Sequence, residues 1–339
     1  MDSSNQNVFE EERPQISAPP ENPLCNARRR FSMTLLSYLF ILLASSALSS
    51  LIYLVLQAHF PDLIEHPLFE VALSSLPTYF LVMPLSLLFF RKIPATPPEK
   101  RPVTLVSFLG FFSIAWLLTF VGSIIGNSVS SLFELILGAE PTNLLEELAG
   151  DLPVWAEILF LVILAPIFEE IFYRKLVYDR IRTFGELPAI LLCGILFGLI
   201  HGNFYQFFYT ASVGILFCYI YAKTGKILYT ILLHIFLNFS GTVMIDWFNH
   251  LFADESSPLY MAGMIALLGL SLCLAASLAL AIVVWVRERK PILFGPAEEQ
   301  LENKQWAEAL FTSPVTWIFL LVTVLPFFAD FFAIFLQSL

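Results

Sequence analysis

The sequence predicts an all-α, polytopic membrane helix bundle of about nine transmembrane helices, and three observations carry that prediction. Residues are 58% hydrophobic and only 14% charged, where soluble domains carry about 25% charged residues. Apolar runs of membrane-spanning length recur from residue 33 to residue 337. The cations fall on one side only of the loops between these runs.

Taken in order, residues 1–30 are polar and rich in Pro, Glu and Asn. They read as a disordered cytosolic tail ending in Arg28-Arg29-Arg30. A helix needs about 20 apolar residues to cross the hydrocarbon core. Runs of that kind fall at about 33–56, 69–90, 103–125, 154–173, 187–202, 205–222, 227–246, 259–286 and 315–337. The first run is too long, and its flank too extended, for a cleavable signal peptide, so it reads as an uncleaved span. The fifth and sixth runs are short and joined by HGNFYQ, which suggests a hairpin turning inside the protein. The chain then divides into N-terminal spans (31–150), a core of spans four to seven (151–250) and C-terminal spans (251–339). Within the last part, the cytosolic loop 287–314 contains AEEQLENKQWAEALF, readable as a short amphipathic helix near the inner surface.

All 18 Lys and Arg lie before span one or in the loops two–three, four–five, six–seven and eight–nine. The opposite loops carry acids instead, as in AEPTNLLEELAGD and DWFNHLFADESSP. Cationic loops stay in the cytosol. The N-terminus is therefore expected to be cytoplasmic and the C-terminus outside, in a multi-pass protein of the plasma membrane. A formal net charge of −10 does not suit nucleic acid, and no basic cluster alternates with stacking aromatics. Cysteines 25, 193, 218 and 273 form no CxxC pair, and the three in apolar segments read as small hydrophobes.

Against this background stands APIFEEIFYRKL, residues 165–176. Ionisable groups inside a bilayer are costly and mark function. The deep ones are Glu169, Glu170, His201 and His234, joined by the amide of Asn238. Asp330 lies nearer the outer side of span nine. Glu70, Glu134, Glu157 and Asp246 fall near outer ends and read as interfacial. Glu170 and Arg174 are at i,i+4 and can pair along one helix face. Span four continues as RKLVYDRIRTF to a turn at Gly185. Glu169 lies 16 residues before that glycine and His201 lies 16 after it. In an antiparallel pair both sit about 24 Å from the turn, at equal depth. Gly194, Gly198 and Gly202 form a stripe that admits a neighbouring helix closely. His234 and Asn238, again i,i+4, share one face. Pro166 adds a kink just before Glu169.

Singly, these features have bland readings: a Glu–Arg pair is helix glue, and a lone His is packing. Jointly they place a carboxylate pair, two imidazoles and an amide at compatible depth. A carboxylate beside an imidazole takes a proton from water. A second imidazole and an amide donate hydrogen bonds to an oxyanion. The set suits hydrolysis of an amide bond, and without a nucleophilic Ser or Cys motif no covalent acyl intermediate is expected. HExxH is absent. Glu, His and His also occur together at catalytic zinc sites, so the residues alone leave metal open.

EEIFYR (169–174), FGLIH (197–201) and HIFLN (234–238) resemble the EExxxR, FxxxH and HxxxN motifs of the CPBP intramembrane proteases. That family is also called the Abi or CAAX-protease-like family. The resemblance covers about residues 150–250 and implies a CPBP-like core formed by spans four to seven. It implies Glu169 as general base, His201 as the group that holds and polarises the water, and His234 and Asn238 as oxyanion hole. Glu170 and Arg174 would support the site, and Phe197 would pack against it. The family has been described both as metalloproteases and as metal-independent glutamate proteases. The expectation is no cofactor, because the Asn238 amide suits an oxyanion donor better than a metal ligand; the alternative is zinc on Glu169, His201 and His234. The implied substrate is a membrane-associated peptide or protein, of CAAX type or in peptide and bacteriocin processing. The other reading is a non-catalytic regulator or immunity protein that binds a membrane partner.

Overall fold

The computed structural model describes residues 22–137, 152–252, 257–288, 294–295, 297–329 and 332. The expectations for residues 1–21, for the acidic loop before residue 152 and for Asp330 lie outside these, as does the side chain of Asp246. Every regular element among the described residues is helical. Apart from short turns of helix, they are, in chain order, α1 (Pro23–His59), α2 (Leu68–Phe90), α3 (Leu105–Leu137), a helical stretch α4 over 154–181, α5 (Glu186–Leu199), α6 (Phe204–Thr224), α7 (Ile227–Gly241), α8 (Val243–Phe252), α9 (Pro258–Glu288), α10 (Asn303–Phe311) and α11 (Pro314–Val324). A polytopic helix bundle is therefore what the chain forms.

The nine apolar runs translate into fewer helices of full spanning character. Among the described residues, six are long and apolar enough to cross a membrane: α1, α2, α3, α6, the α7–α8 pair and α9. A seventh is reached if α10 and Pro314–Phe328, bent by 77° at their junction, count as one. The two runs that fall short have identifiable reasons. The fourth is helical throughout but carries Glu157, Glu169 and Glu170. The fifth is α5, with 14 residues, or about 21 Å at the usual rise against a hydrocarbon core of about 30 Å. The tail boundary also moves. Asn22 caps α1 by accepting from the Leu24 N–H at 3.0 Å, so residues 23–30 are helix rather than tail. Glu70 and Glu134 are exposed, but Glu157 is buried by packing rather than hydrated.

α6 forms the centre of the bundle because small residues flank it on both sides. On α5, a Cβ at Gly194 would lie 2.7 Å from the Ile215 backbone nitrogen, and one at Gly198 would lie 2.8 Å from the Ala211 Cβ. On α3, a Cβ at Gly122 would lie 2.5 Å from the Tyr209 Cα, and one at Gly126 would meet the Phe204 carbonyl at 2.6 Å. Lipid tails are as apolar as Leu, so helices in a membrane gain by close backbone approach rather than by burying grease. The α5–α6 reversal is a four-residue link, 200–203, with Gly202 at φ 66°, a conformation that glycine adopts without steric cost. The short hairpin expected from HGNFYQ is present.

The loop before α11 is docked on the core. α10 is shorter than AEEQLENKQWAEALF suggested. It is capped where Gln305 Oε1 accepts from the Glu302 N–H at 2.9 Å. Its Trp306 donates through Nε1 to the Phe184 carbonyl at 2.9 Å and packs on Phe31 of α1 at 4.5 Å. The backbone N–H groups of Glu299 and Leu301 donate to the carbonyls of Thr183 and Phe184. Asn26 Nδ2 donates to the Glu299 carboxylate at 2.9 Å, and Arg30 Nη2 stands 3.5 Å from it. These bonds brace the Gly185 turn, from which both α4 and α5 lead toward the buried polar groups.

Candidate active site inside the bundle

Helix α4 reaches the site through a distortion that its sequence dictates. The Ala165 N–H donates five residues back, to the Phe160 carbonyl. Continuing that register, the next donor would serve the Leu161 carbonyl, but the next residue is Pro166, which has none. Asn238 of α7 fills the gap, its Nδ2 donating to the Leu161 carbonyl at 2.8 Å. A buried carbonyl without a partner costs about 1–3 kcal/mol. The proline thus creates the vacancy that fixes α7 against α4.

One turn on, Glu170 and Arg174 are both fully buried. Arg174 Nη2 donates to Glu170 Oε1 at 3.1 Å, and Nε stands 2.9 Å from Oε2. The guanidinium carbon lies 5.8 Å from the ring centre of Phe197, and 6.0 Å from those of Tyr173 and Phe217. Cationic contact with ring faces offsets part of the loss of water around the charge.

His234 bridges the carboxylate pair. Its Nδ1 is 3.1 Å from Glu170 Oε1, and its Nε2 is 3.7 Å from Glu169 Oε2. A carboxylate only accepts, so Nδ1–H donates to Glu170. Nε2 then donates only when the ring carries both protons. Glu169 keeps 17% of its side-chain surface open and borders a cavity of about 470 Å³. His201, Phe197, His234 and Asn238 line the same cavity. The Nδ1 of His201 donates to the Phe197 carbonyl at 2.9 Å; in the neutral ring this leaves Nε2 as an acceptor, able to take a hydrogen bond from water. Phe197 meets His201 at 5.3 Å and His234 at 5.5 Å, both edge to face.

The structure thus brings together the side chains singled out in sequence: Glu169, His201, His234 and Asn238 around the cavity, with Glu170 and Arg174 behind them. Sequence reasoning passed over the rest of the lining, where Ser74, Thr78 and Tyr79 of α2, Thr119 and Ser123 of α3, and Tyr209 of α6 border the same space. Hydroxyls scattered along apolar runs carry no spacing signal until the helices are assembled. Among the described residues, no three His, Cys, Asp or Glu side chains form a group that could hold a metal ion. Glu169, His201 and His234 thus do not come together as a zinc ligand set.

Comparison with known proteins bears on the same segment. A family model for the type II CAAX prenyl endopeptidases, Rce1-like, matches residues 151–240. The chain is similar to the "Putative membrane peptidase YdiL" of Bacillus subtilis (strain 168), with 22% identity over 183 residues covering 53% of this chain and 74% of the relative. No solved structure matches the chain at a significant level.

Proposed function

From the premise that residues 151–240 belong to the Rce1-like type II CAAX prenyl endopeptidase (CPBP) family, we propose that this membrane protein hydrolyses a peptide bond by water activation on Glu169. The observation that carries the reading is the Glu169 carboxylate open to the cavity, 3.7 Å from His234 Nε2, with His201 on the same lining. Water held between Glu169 and the acceptor Nε2 of His201 loses a proton to Glu169 as its oxygen attacks the scissile carbonyl. The second N–H of Asn238, joined by His234 Nε2 when that ring carries both protons, receives the developing oxyanion. Collapse of the tetrahedral intermediate returns the proton from Glu169 to the leaving amine. Glu170, itself held by Arg174, binds His234 at its Nδ1 and keeps the ring oriented.

In this reading the chain crosses a plasma membrane nine times, α4 and α5 included, with the N-terminus in the cytoplasm and the C-terminus outside. The uneven distribution of Lys and Arg supports the orientation. The substrate is a membrane-associated peptide or protein, of CAAX type or a processed peptide, cut near the cytosolic side.

The test compares peptide N- and C-termini in membranes from cells carrying wild type or Glu169→Gln at equal expression. Termini that vanish with Glu169→Gln are the expected result and name the substrate. Identical termini, with the variant still complementing a deletion, sink the hydrolytic reading in favour of a protein that acts by binding a partner.

A further inference from the structure

We propose that Tyr209 is a further catalytic hydrogen-bond donor, its hydroxyl directed to the carbonyl oxygen of the scissile peptide as that oxygen becomes an oxyanion. The inference rests on the hydrolytic reading above. It begins from a shortage of donors. Asn238 has committed one of its two N–H groups to the Leu161 carbonyl. His234 has committed Nδ1 to Glu170, and its Nε2 faces Glu169. The hole they form has one unconditional donor, where oxyanion sites work by several preorganised donors aimed at one point.

Tyr209 lines the cavity that Glu169, His201 and His234 share, and a chain of bonds that starts at the backbone turns its proton away from Gln206. The Gln206 backbone N–H can only donate, and it does so to Asn203 Oδ1 at 2.9 Å. The other side-chain atom of Asn203 is therefore the amide nitrogen. It donates to the His201 carbonyl at 2.8 Å and to Gln206 Oε1 at 2.8 Å. That identifies the remaining Gln206 atom as Nε2, which donates to the Tyr209 hydroxyl oxygen at 3.2 Å. With Nε2 as donor, the Tyr209 proton must point elsewhere. Among the described residues no acceptor for it is recorded. The Tyr209 backbone is held as well, because Gly122 of α3 lies so close that a Cβ there would stand 2.5 Å from the Tyr209 Cα. The same Asn203 amide anchors the carbonyl of His201. The proposed donor and the proposed water ligand are thereby set from one residue. The tyrosine keeps its proton throughout and contributes a hydrogen bond, not an acid.

The test follows the Glu169-dependent termini after induction, in cells expressing wild type, Glu169→Gln, Tyr209→Phe or Gln206→Leu at equal levels. Loss of one oxyanion donor costs about 10²–10³ in rate, so Tyr209→Phe slows product appearance by that factor while the purified variant melts as wild type does. Gln206→Leu leaves the ring in place but frees the hydroxyl rotor, and gives a smaller slowing; it also decides the matter should Tyr209→Phe fail to accumulate. With purified protein and the substrate so identified, the loss falls on kcat and not on KM. A wild-type rate in Tyr209→Phe, or in Gln206→Leu where that variant stands in, overturns the role of Tyr209 and leaves hydrolysis by Glu169 intact. Termini unchanged in Glu169→Gln overturn the hydrolytic reading itself, a separate and distinguishable result.

Discussion

Helices α6 and α9 are both apolar enough to cross a membrane, yet they relate to the rest of the molecule in opposite ways. α9 is the more hydropathic, and none of its most apolar window is buried inside the protein, against 44% for α6. α9 touches α3 where Gly110 meets Ala281 and where the Ser113 and Ser277 hydroxyls pair. α6 is less greasy, contains Gly214, carries Gln206, Tyr209, Thr210 and Ser212 among its first residues, and is gripped by α3 and α5. Within a bilayer, high hydropathy marks the helix that faces lipid. Small and polar residues mark the helix that packs. The site lies among the second kind.

The contrast is sharpest at Arg174. A cation in a span is costly unless it is paired, and this one is fully buried against Glu170. Arg174→Met keeps the volume and removes the charge, stranding the Glu170 carboxylate with His234 alone. Breaking a buried pair from one side costs about 3–5 kcal/mol. The expected outcome is a variant that accumulates poorly and unfolds at far lower SDS fraction in mixed micelles. If it unfolds as wild type does, the pair is not what stabilises the interior of the bundle. Arg174→Lys keeps a charge but loses the forked geometry, and falls between the two.

How much of this was legible in sequence depends on the type of signal. Glu169, Glu170 and Arg174 stand out because charge in an apolar run is rare. His201 and Glu169 could be matched in depth because the segments that carry them leave the same turn at Gly185. The fifth and sixth runs announced a hairpin through HGNFYQ. The number of helices of full spanning length was less legible, because an apolar run in sequence does not report that the helix behind it stops at 14 residues, as α5 does. Gly122 and Gly126 form the same i,i+4 pair as Gly194 and Gly198, but no neighbouring motif drew attention to them. Their partner on α6 emerges only when α3 and α5 are seen on its two sides. Tyr209 was less legible still. Its significance depends on Asn203 and Gln206 being turned by backbone groups, and no spacing rule reports the direction of a proton. Glu157 misled for the opposite reason: proximity to a span end suggested water, and packing buried it.

A smaller effect is expected where α5 meets α6. In Gly194→Ala the new methyl would lie 2.7 Å from the Ile215 backbone nitrogen and 3.0 Å from the Ala211 carbonyl. Backbone cannot swing aside as a flexible side chain can, so the two helices separate. Overpacking of this kind costs about 1–3 kcal/mol. SDS unfolding in mixed micelles reads the loss. Cleavage of the Glu169-dependent substrate falls with it, because His201 sits in the link that leaves the far end of α5. A variant as stable as wild type would mean that this contact tolerates a wider spacing and that close approach does not set the position of α6.

The smallest effect is expected at Gly269 of α9, and it tests the comparison from its other side. A Cβ there meets nothing within 4 Å, since this stretch of α9 faces away from its neighbours. Gly269→Ala adds no clash and removes a glycine from a helix interior, a position where glycine is worse than Ala by about 0.5–1 kcal/mol. Stability in mixed micelles is therefore unchanged or higher by up to about that amount, and cleavage proceeds at the wild-type rate. The identical substitution at Gly194 goes the other way. The difference between the two isolates helix packing from intrinsic propensity, because propensity is common to both. A destabilised Gly269→Ala would show that a surface here taken to face lipid is covered by protein in the membrane. It would move α9 from the lipid-facing class to the packed one.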